Sequence, residues 1–338
     1  MSIIKSNVFR LLKAKELVIQ EESIDLKLLG DNEFFCETIY SAISPGTETA
    51  AFSGMEALRP GKIYPRLVGY CNIARVLEKG KNVKNLKKGD VILTFQSHRS
   101  HFLQNINLFY LKITDKDFKK FTPAYLYHLG YHALISTKTF PGHNVAVLGA
   151  GVLGYTSAIM SKMSGCKTFM LTNQQEAIIR LNRLGISSYK KENNSIEHIY
   201  NETNLVGPDI LINTSNTWSD WEFVLKLINR GGVIVNMGFP GRGEPYPKFN
   251  PLDPKYIYTK HVTIKSLCYL NEKEVDPYEE RFNLKRNMKY IFRLIEEGKI
   301  STEDIISEEI NFSQLENQYK KYLSKKDYLL STLLKWKD

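Results

Sequence analysis

Asn144-Val-Ala-Val-Leu148-Gly149-Ala-Gly151-Val-Leu-Gly154, followed by small residues through Ala158 and Met160, is the stretch that decides the fold. Its first five residues are a short apolar run, the pattern of a parallel strand buried on both faces. The glycines then fall as G-x-G-x-x-G between that strand and a helix. Gly149 permits the tight turn, Gly151 lets backbone approach a pyrophosphate, and Gly154 lets the helix pack closely on the sheet. The helix start at Val152 and Leu153 offers free N–H groups and a positive dipole end to phosphate oxygens. A lone glycine motif is weak. With a strand before it, a helix after it and a second strand at Lys167, it predicts a dinucleotide-binding loop.

Downstream, apolar runs recur at 167–171, 209–212, 233–237 and 262–267, with helical patterns at 176–184 and 218–229. Strands alternating with helices at this spacing predict βαβ units and a doubly wound parallel sheet, an α/β fold. Upstream, a helix is expected over 124–139, stopped by Pro141-Gly142. Before Thr122-Pro123 the texture changes to short β-like runs such as 34–40, 73–77 and 91–95, the last entered through the turn Lys87-Lys-Gly-Asp90. Many short strands suggest a barrel-like β domain. The tail returns to mixed texture, with helices over 284–298 and 313–323 and a strand near 329–336.

The chain of 338 residues suits two domains, and 43% hydrophobic with 24% charged residues is an ordinary globular balance. No apolar run reaches the length of a membrane span, and the first ten residues lack the features of a signal peptide. A cytoplasmic location is expected, with no membrane partner. Cys36, Cys71, Cys166 and Cys268 are widely spaced and read as free thiols in a reducing compartment. The net charge of +10 comes from lysines spread along the chain, without a basic and aromatic stripe. Nucleic-acid binding is therefore not expected, and an anionic cofactor or substrate accounts for the surplus.

The end of the second strand selects the cofactor. An acidic residue there bonds the ribose 2′-OH of NAD. Here the strand ends in Leu171-Thr172-Asn173, with no acid. Uncharged Thr172 and Asn173 leave room for a 2′-phosphate, and Arg180 or Arg183 could neutralise it. Glu176 is the rival, but Asn173-x-x-Glu176 fits a helix capping box. NADP is favoured, with NAD possible.

Several further motifs carry a resemblance: Ser44-Pro-Gly-Thr-Glu48, Gly69-Tyr-Cys71 before a strand, Lys88-Gly-Asp90, the glycine loop, Gly231-Gly-Val-Ile-Val-Asn-Met-Gly238 and Glu297-Gly-Lys-Ile300. Over nearly its whole length the chain resembles the medium-chain dehydrogenase/reductase superfamily of zinc-type alcohol dehydrogenases. The Ser44 and Gly69 motifs are most similar to a zinc-free branch around bacteriochlorophyllide dehydrogenases. The resemblance implies a GroES-like β-barrel catalytic domain over 1–125, completed by 269–338, around a Rossmann domain over 126–268. It also implies a homodimer joined through the edge strand near 262–267.

The departures from that pattern bear on the chemistry. Zinc members carry ligands where this chain has Ser44, Tyr70 and, roughly, Ala124, and the four-cysteine structural zinc lobe is absent. A catalytic zinc needs three protein ligands, so neither zinc nor any other metal is expected. His128 and His132 have metal-ligand spacing on a helix, and His98 and His101 form a second pair. With no Cys or carboxylate nearby in either case, structural roles are expected, although the 96–101 segment stands where this family has a substrate loop.

Without zinc, hydrogen-bond donors must stabilise the oxyanion formed when hydride reaches a carbonyl. By analogy with the lost ligand positions, Tyr70 would donate to or orient the substrate oxygen, Ser44 would bond it, and Glu48 would relay a proton or anchor backbone donors. Thr47 would face the nicotinamide, which the backbone at Gly238 and Leu267 would also approach. The expected function is zinc-independent hydride transfer between NADP(H), or NAD(H), and an alcohol or carbonyl substrate. An NADPH-dependent enoyl reductase and a non-catalytic dinucleotide-binding protein are the alternatives. Loop composition does not name the small-molecule substrate.

Overall fold

The computed structural model describes residues 3–55, 62–267, 270–273, 275–276 and 278–337. Cys268 lies outside them. The chain divides into two compact units, Met1–Tyr125 with Leu270–Asp338, and Leu126–Tyr269. In chain order the first unit opens with β1 (Ile3–Lys13), β2 (Glu16–Asp25), β3 (Glu33–Ala42), α1 (Pro45–Ser53), β4 (Arg66–Leu67), β5 (Cys71–Lys79), β6 (Val91–Thr94), β7 (His101–Asn105) and β8 (Tyr110–Ile113). Then come α2 (Ala124–Ser136), β9 (Asn144–Leu148), α3 (Val152–Met163), β10 (Lys167–Thr172), α4 (Gln175–Arg183), β11 (Ser187–Lys190) and α5 (Asn193–Glu202). The second unit finishes with β12 (Ile210–Asn213), α6 (Trp218–Leu227), β13 (Val233–Asn236), α7 (Ile257–Lys260) and β14 (Thr263–Ser266). The first unit is completed by α8 (Leu284–Glu296), β15 (Ile306–Asn311), α9 (Leu315–Ser324) and β16 (Ser331–Lys335).

The second unit is one parallel sheet in the order β11-β10-β9-β12-β13-β14. The chain runs outward from β9 on one side, returns, and runs outward from β12 on the other. That is the doubly wound order, with its crevice at the switch between β9 and β12. Ala146, Leu148, Phe169, Leu171, Leu211 and Ile234 are buried in one core with Trp221 and Val224 of α6. The predicted doubly wound sheet is thus present. Three elements, β11, α5 and α7, were not anticipated. Ser187-Ser-Tyr-Lys190 is a polar edge strand with no apolar run to announce it. The helix expected over 124–139 stops at Ser136, and Lys138 adopts the left-handed region at φ 53° just beyond.

The first unit is β-rich. One sheet runs β15-β16-β3-β5-β6-β8, with β7 also on β3, and a smaller one runs β2-β1-β4. β3 is therefore central, joined to β16 from the far end of the chain at Leu333 opposite Ala42. Beneath it, Phe9, Leu11, Ile43 and Phe52 pack with Leu315, Tyr319, Leu334 and Trp336. Chain start and chain end thus share one core. No helix among the described residues is long and apolar enough to cross a membrane.

Candidate functional site

In the second unit, each glycine of the loop meets a different constraint. Gly149 has φ 93°, and a Cβ there would fall 2.6 Å from Thr214 Oγ1. Thr214 in turn donates to Leu148 O at 2.8 Å and holds the turn against the start of the β12 loop. Gly154 lies so close under the turn that a Cβ would strike the carbonyl oxygen of Gly149. Gly151 is different: its φ is −66° and a Cβ would meet nothing within 4 Å. The space above it is open, at the N-cap of α3, where no side chain caps the helix. Val152, Leu153 and Gly154 form the first turn there, so an open cradle faces the positive end of a helix of twelve residues. Thr214 was missed by sequence reasoning because it lies 66 residues from Leu148, the residue it bonds.

At the end of β10, Thr172 is buried and its hydroxyl accepts the Gln174 N–H at 3.1 Å. Asn173 is exposed. The predicted capping box does not form. The N-cap of α4 is Gln174, one residue late for Asn173, and Glu176 lies 3.7 Å from Arg180 instead. The Arg180 guanidinium also sits over the Tyr155 ring, 5.7 Å from its centroid. At the end of β13, a Cβ on Gly238 would sit 2.3 Å from Ser215 O, and its N–H donates to Asn213 O. Close packing of two loops alone therefore requires glycine there. Leu267 follows β14 and donates its N–H to Asn236 O.

In the first unit, the turn between β3 and α1 and the turn before β5 bring Ser44 and Tyr70 together. The Tyr70 hydroxyl donates to Ser44 Oγ. Thr47 is exposed on the first turn of α1, near enough to the Tyr70 hydroxyl to favour its ionised form. Burial, then the neighbouring Cys71, push the Tyr70 phenol up, and the bond to Ser44 and the nearby Thr47 only partly offset this. The Tyr70 ring is held edge-on by Tyr125 at 5.6 Å, and Phe95 continues this wall between Tyr125 (4.6 Å) and Phe109 (4.5 Å). Ser44 is 4% exposed, and its own O–H has no acceptor among the described residues.

Behind Ser44 stands Glu48, 2% exposed. Its Oε1 accepts the Ser44 N–H at 2.7 Å; its Oε2 accepts from His98 Nε2 at 2.9 Å and Tyr319 Oη at 2.5 Å. His98 Nδ1 meets Ser41 Oγ at 2.9 Å, and Trp336 Nε1 donates to the same oxygen at 2.9 Å. The His98 ring fills the space beside Gly69, where φ is 86° and a Cβ would fall 2.5 Å from the imidazole. The expectation that His98 and His101 have no carboxylate nearby is corrected here: His98 lies on Glu48, and His101 lies 3.5 Å from Glu37. Both carboxylates come from strands or helices far away in sequence. His128 and His132 stack at 5.9 Å on α2. Among the described residues, no group of three or more His, Cys, Asp or Glu side chains could hold a metal ion.

This geometry can be set beside known proteins. No family model matches the sequence. Sorbitol dehydrogenase of Bacillus subtilis is 26% identical over 142 residues, covering 41% of this chain and 38% of that protein. Among solved structures, 2R,3R-butanediol dehydrogenase of Bacillus subtilis superposes with a TM-score of 0.80 at 16% identity, covering 98% of this chain and 100% of that one. The fold is that of the medium-chain alcohol dehydrogenases. A short chain alcohol dehydrogenase of Escherichia coli, solved with NADH, gives a TM-score of 0.77 at 14% identity, covering 99% and 100%. At these identities the superpositions establish the dehydrogenase architecture, and the chemistry is argued from this chain's own residues.

Proposed function

We propose that the protein is an oxidoreductase that interconverts an alcohol and a carbonyl with NADP(H), or NAD(H), using hydroxyl donors in place of zinc. The observation that carries this is the Tyr70 hydroxyl bonded to Ser44 Oγ, with the Ser44 O–H left to donate outward. The open cradle over Gly151 at the start of α3 fits a pyrophosphate, and Thr172, Asn173 and Arg180 would flank the ribose. The nicotinamide, when bound, supplies or accepts hydride. Ser44 bonds the substrate oxygen. As negative charge grows there, the Ser44 proton moves to it and the Tyr70 proton follows to Ser44. A phenol pushed above its ordinary range stays protonated at neutral pH and yields only to a strong base such as an alkoxide. Half-buried Tyr70 is then reprotonated by water. Glu48 accepts the Ser44 N–H and so holds the residue whose hydroxyl does this. Thr47 supports Tyr70.

The donors present do not suit zinc. A catalytic zinc takes three ligands from Cys, His, Asp and Glu. Near Ser44 the side chains of that kind include Glu48 and His98, which are bonded to each other. NADPH is favoured because no carboxylate ends β10 and the Arg180 contact to Glu176 is loose enough to yield to a phosphate. Cys36, Cys71 and Cys166 are buried free thiols, which supports a cytoplasmic setting. The β14 edge, with exposed Thr263, Ile264 and Ser266, supports pairing with a second copy of this chain.

Side-by-side titrations with NADPH and NADH, followed by a screen of ketones, aldehydes and enones, test this. Turnover of ketones or aldehydes supports carbonyl chemistry. Turnover of enones alone replaces it with enoyl reduction, and binding without turnover leaves a dinucleotide-binding protein.

A further inference from the structure

Four buried side chains lie behind Glu48 without touching the donor pair: Ser41, His98, Tyr319 and Trp336. Trp336 Nε1 can only donate, so Ser41 Oγ accepts from it, and the same oxygen meets His98 Nδ1 at 2.9 Å. The Glu48 carboxylate can only accept, so His98 Nε2 carries the N–H that donates to its Oε2. Tyr319 donates to the same oxygen. The backbone of His98 is also pinned, its N–H on Val68 O at 2.8 Å and its carbonyl accepting from Phe9 N at 3.0 Å. Both lone-pair sides of the carboxylate are thus committed, one to the pair His98 and Tyr319, the other to Ser44 N–H. A carboxylate gripped this way has one orientation, and it hands that orientation to the turn carrying Ser44.

We propose that His98 and Tyr319 are positioning residues: together they fix the Glu48 carboxylate, and through it the Ser44 N–H, so that the Ser44 hydroxyl stays aimed from Tyr70 toward the substrate oxygen. Its kinetic arm rests on the carbonyl chemistry proposed above; its spectroscopic arm does not. Tyr319→Phe keeps the ring against Phe52, 5.4 Å away, and removes only the hydroxyl, so the variant folds. The expected result is a kcat lower by roughly 10- to 100-fold with KM and dinucleotide affinity unchanged, the size of loss that slight misplacement of a reacting group causes. Tyr70→Phe combined with Tyr319→Phe should be little worse than Tyr70→Phe alone, because both act through Ser44. In spectra of 15N-labelled protein, the Ser44 amide proton should move upfield in both Tyr319→Phe and His98→Gln. The wild-type His98 ring should show the Nε2–H tautomer. A Tyr319→Phe enzyme within twofold of wild type, or additive losses in the double variant, would overturn the proposal. So would an unmoved Ser44 amide. If the wild-type protein turns over no carbonyl, the catalytic proposal fails and the Ser44 amide shift alone decides the positioning.

Discussion

At the scale of single residues, the glycines separate a binding role from a packing role. Gly151 has ordinary dihedrals and open space at its Cβ position, so Gly151→Leu should leave the melting temperature near wild type. The same side chain would occupy the pyrophosphate position and take dinucleotide affinity beyond detection in a fluorescence titration. Unchanged affinity would remove the loop from the cofactor site. Gly69→Ala should do the reverse: a positive φ and a Cβ inside the His98 ring should cost about 1–3 kcal/mol in urea denaturation and leave dinucleotide affinity alone. Tyr70→Phe should lower kcat by about 100-fold or more with little change in cofactor affinity; equal, small effects on both would assign Tyr70 to packing. The glycine loop was legible because its residues are neighbours in sequence. Ser44, Tyr70 and Glu48 were reached through resemblance. His98 as a partner of Glu48, and Tyr319 altogether, were not reached, since 50 and 271 residues separate them from that carboxylate.

At the scale of elements, the buried strands of the parallel sheet announced themselves, and of its two edge strands β14 was expected and β11 was not. β9, β10, β12 and β13 are apolar on both faces, whereas β11 is half polar and was passed over. Helix starts were legible at Val152, Trp218 and Leu284, the last two of them capped by a side chain. Asn283 caps α8 by accepting the Arg286 N–H at 2.9 Å, and Asn283→Ala should cost about 1 kcal/mol in thermal or urea unfolding. The Asn173 motif has the letters of a cap, but α4 starts one residue too late to use it. The pair on α2 makes a pH prediction. Burial, then the charge of His132, pull His128 down from an ordinary 6.5 to about 3. Between those values the unfolded chain binds a proton that the folded chain refuses, so stability is full above pH 6.5 and falls as pH falls through the window. The loss should reach a few kcal/mol near pH 4. His128→Gln should flatten this dependence when urea midpoints at pH 7 and pH 4 are compared; an identical slope would place the titration elsewhere.

At the scale of the whole molecule, the doubly wound sheet followed from spacing alone, because strand and helix alternate along the chain at a regular interval. The β-rich unit was harder to see, since it draws its strands from both ends and closes β3 on β16. If β14 is the joining edge, sedimentation should give a dimer, and replacing exposed Ile264 with Lys should give monomers that still bind dinucleotide. A monomeric wild-type protein would leave β14 as a bare edge. The long closure also bears on biosynthesis. Ser41 and Glu48 receive their bonds from Trp336 and Tyr319, which leave the ribosome nearly three hundred residues later. The parallel sheet, whose strands pair with one another within Leu126–Tyr269, has its full sequence available well before then. Synthesis should therefore complete the parallel sheet first, while the network around Glu48 must wait for α9 and β16 to dock.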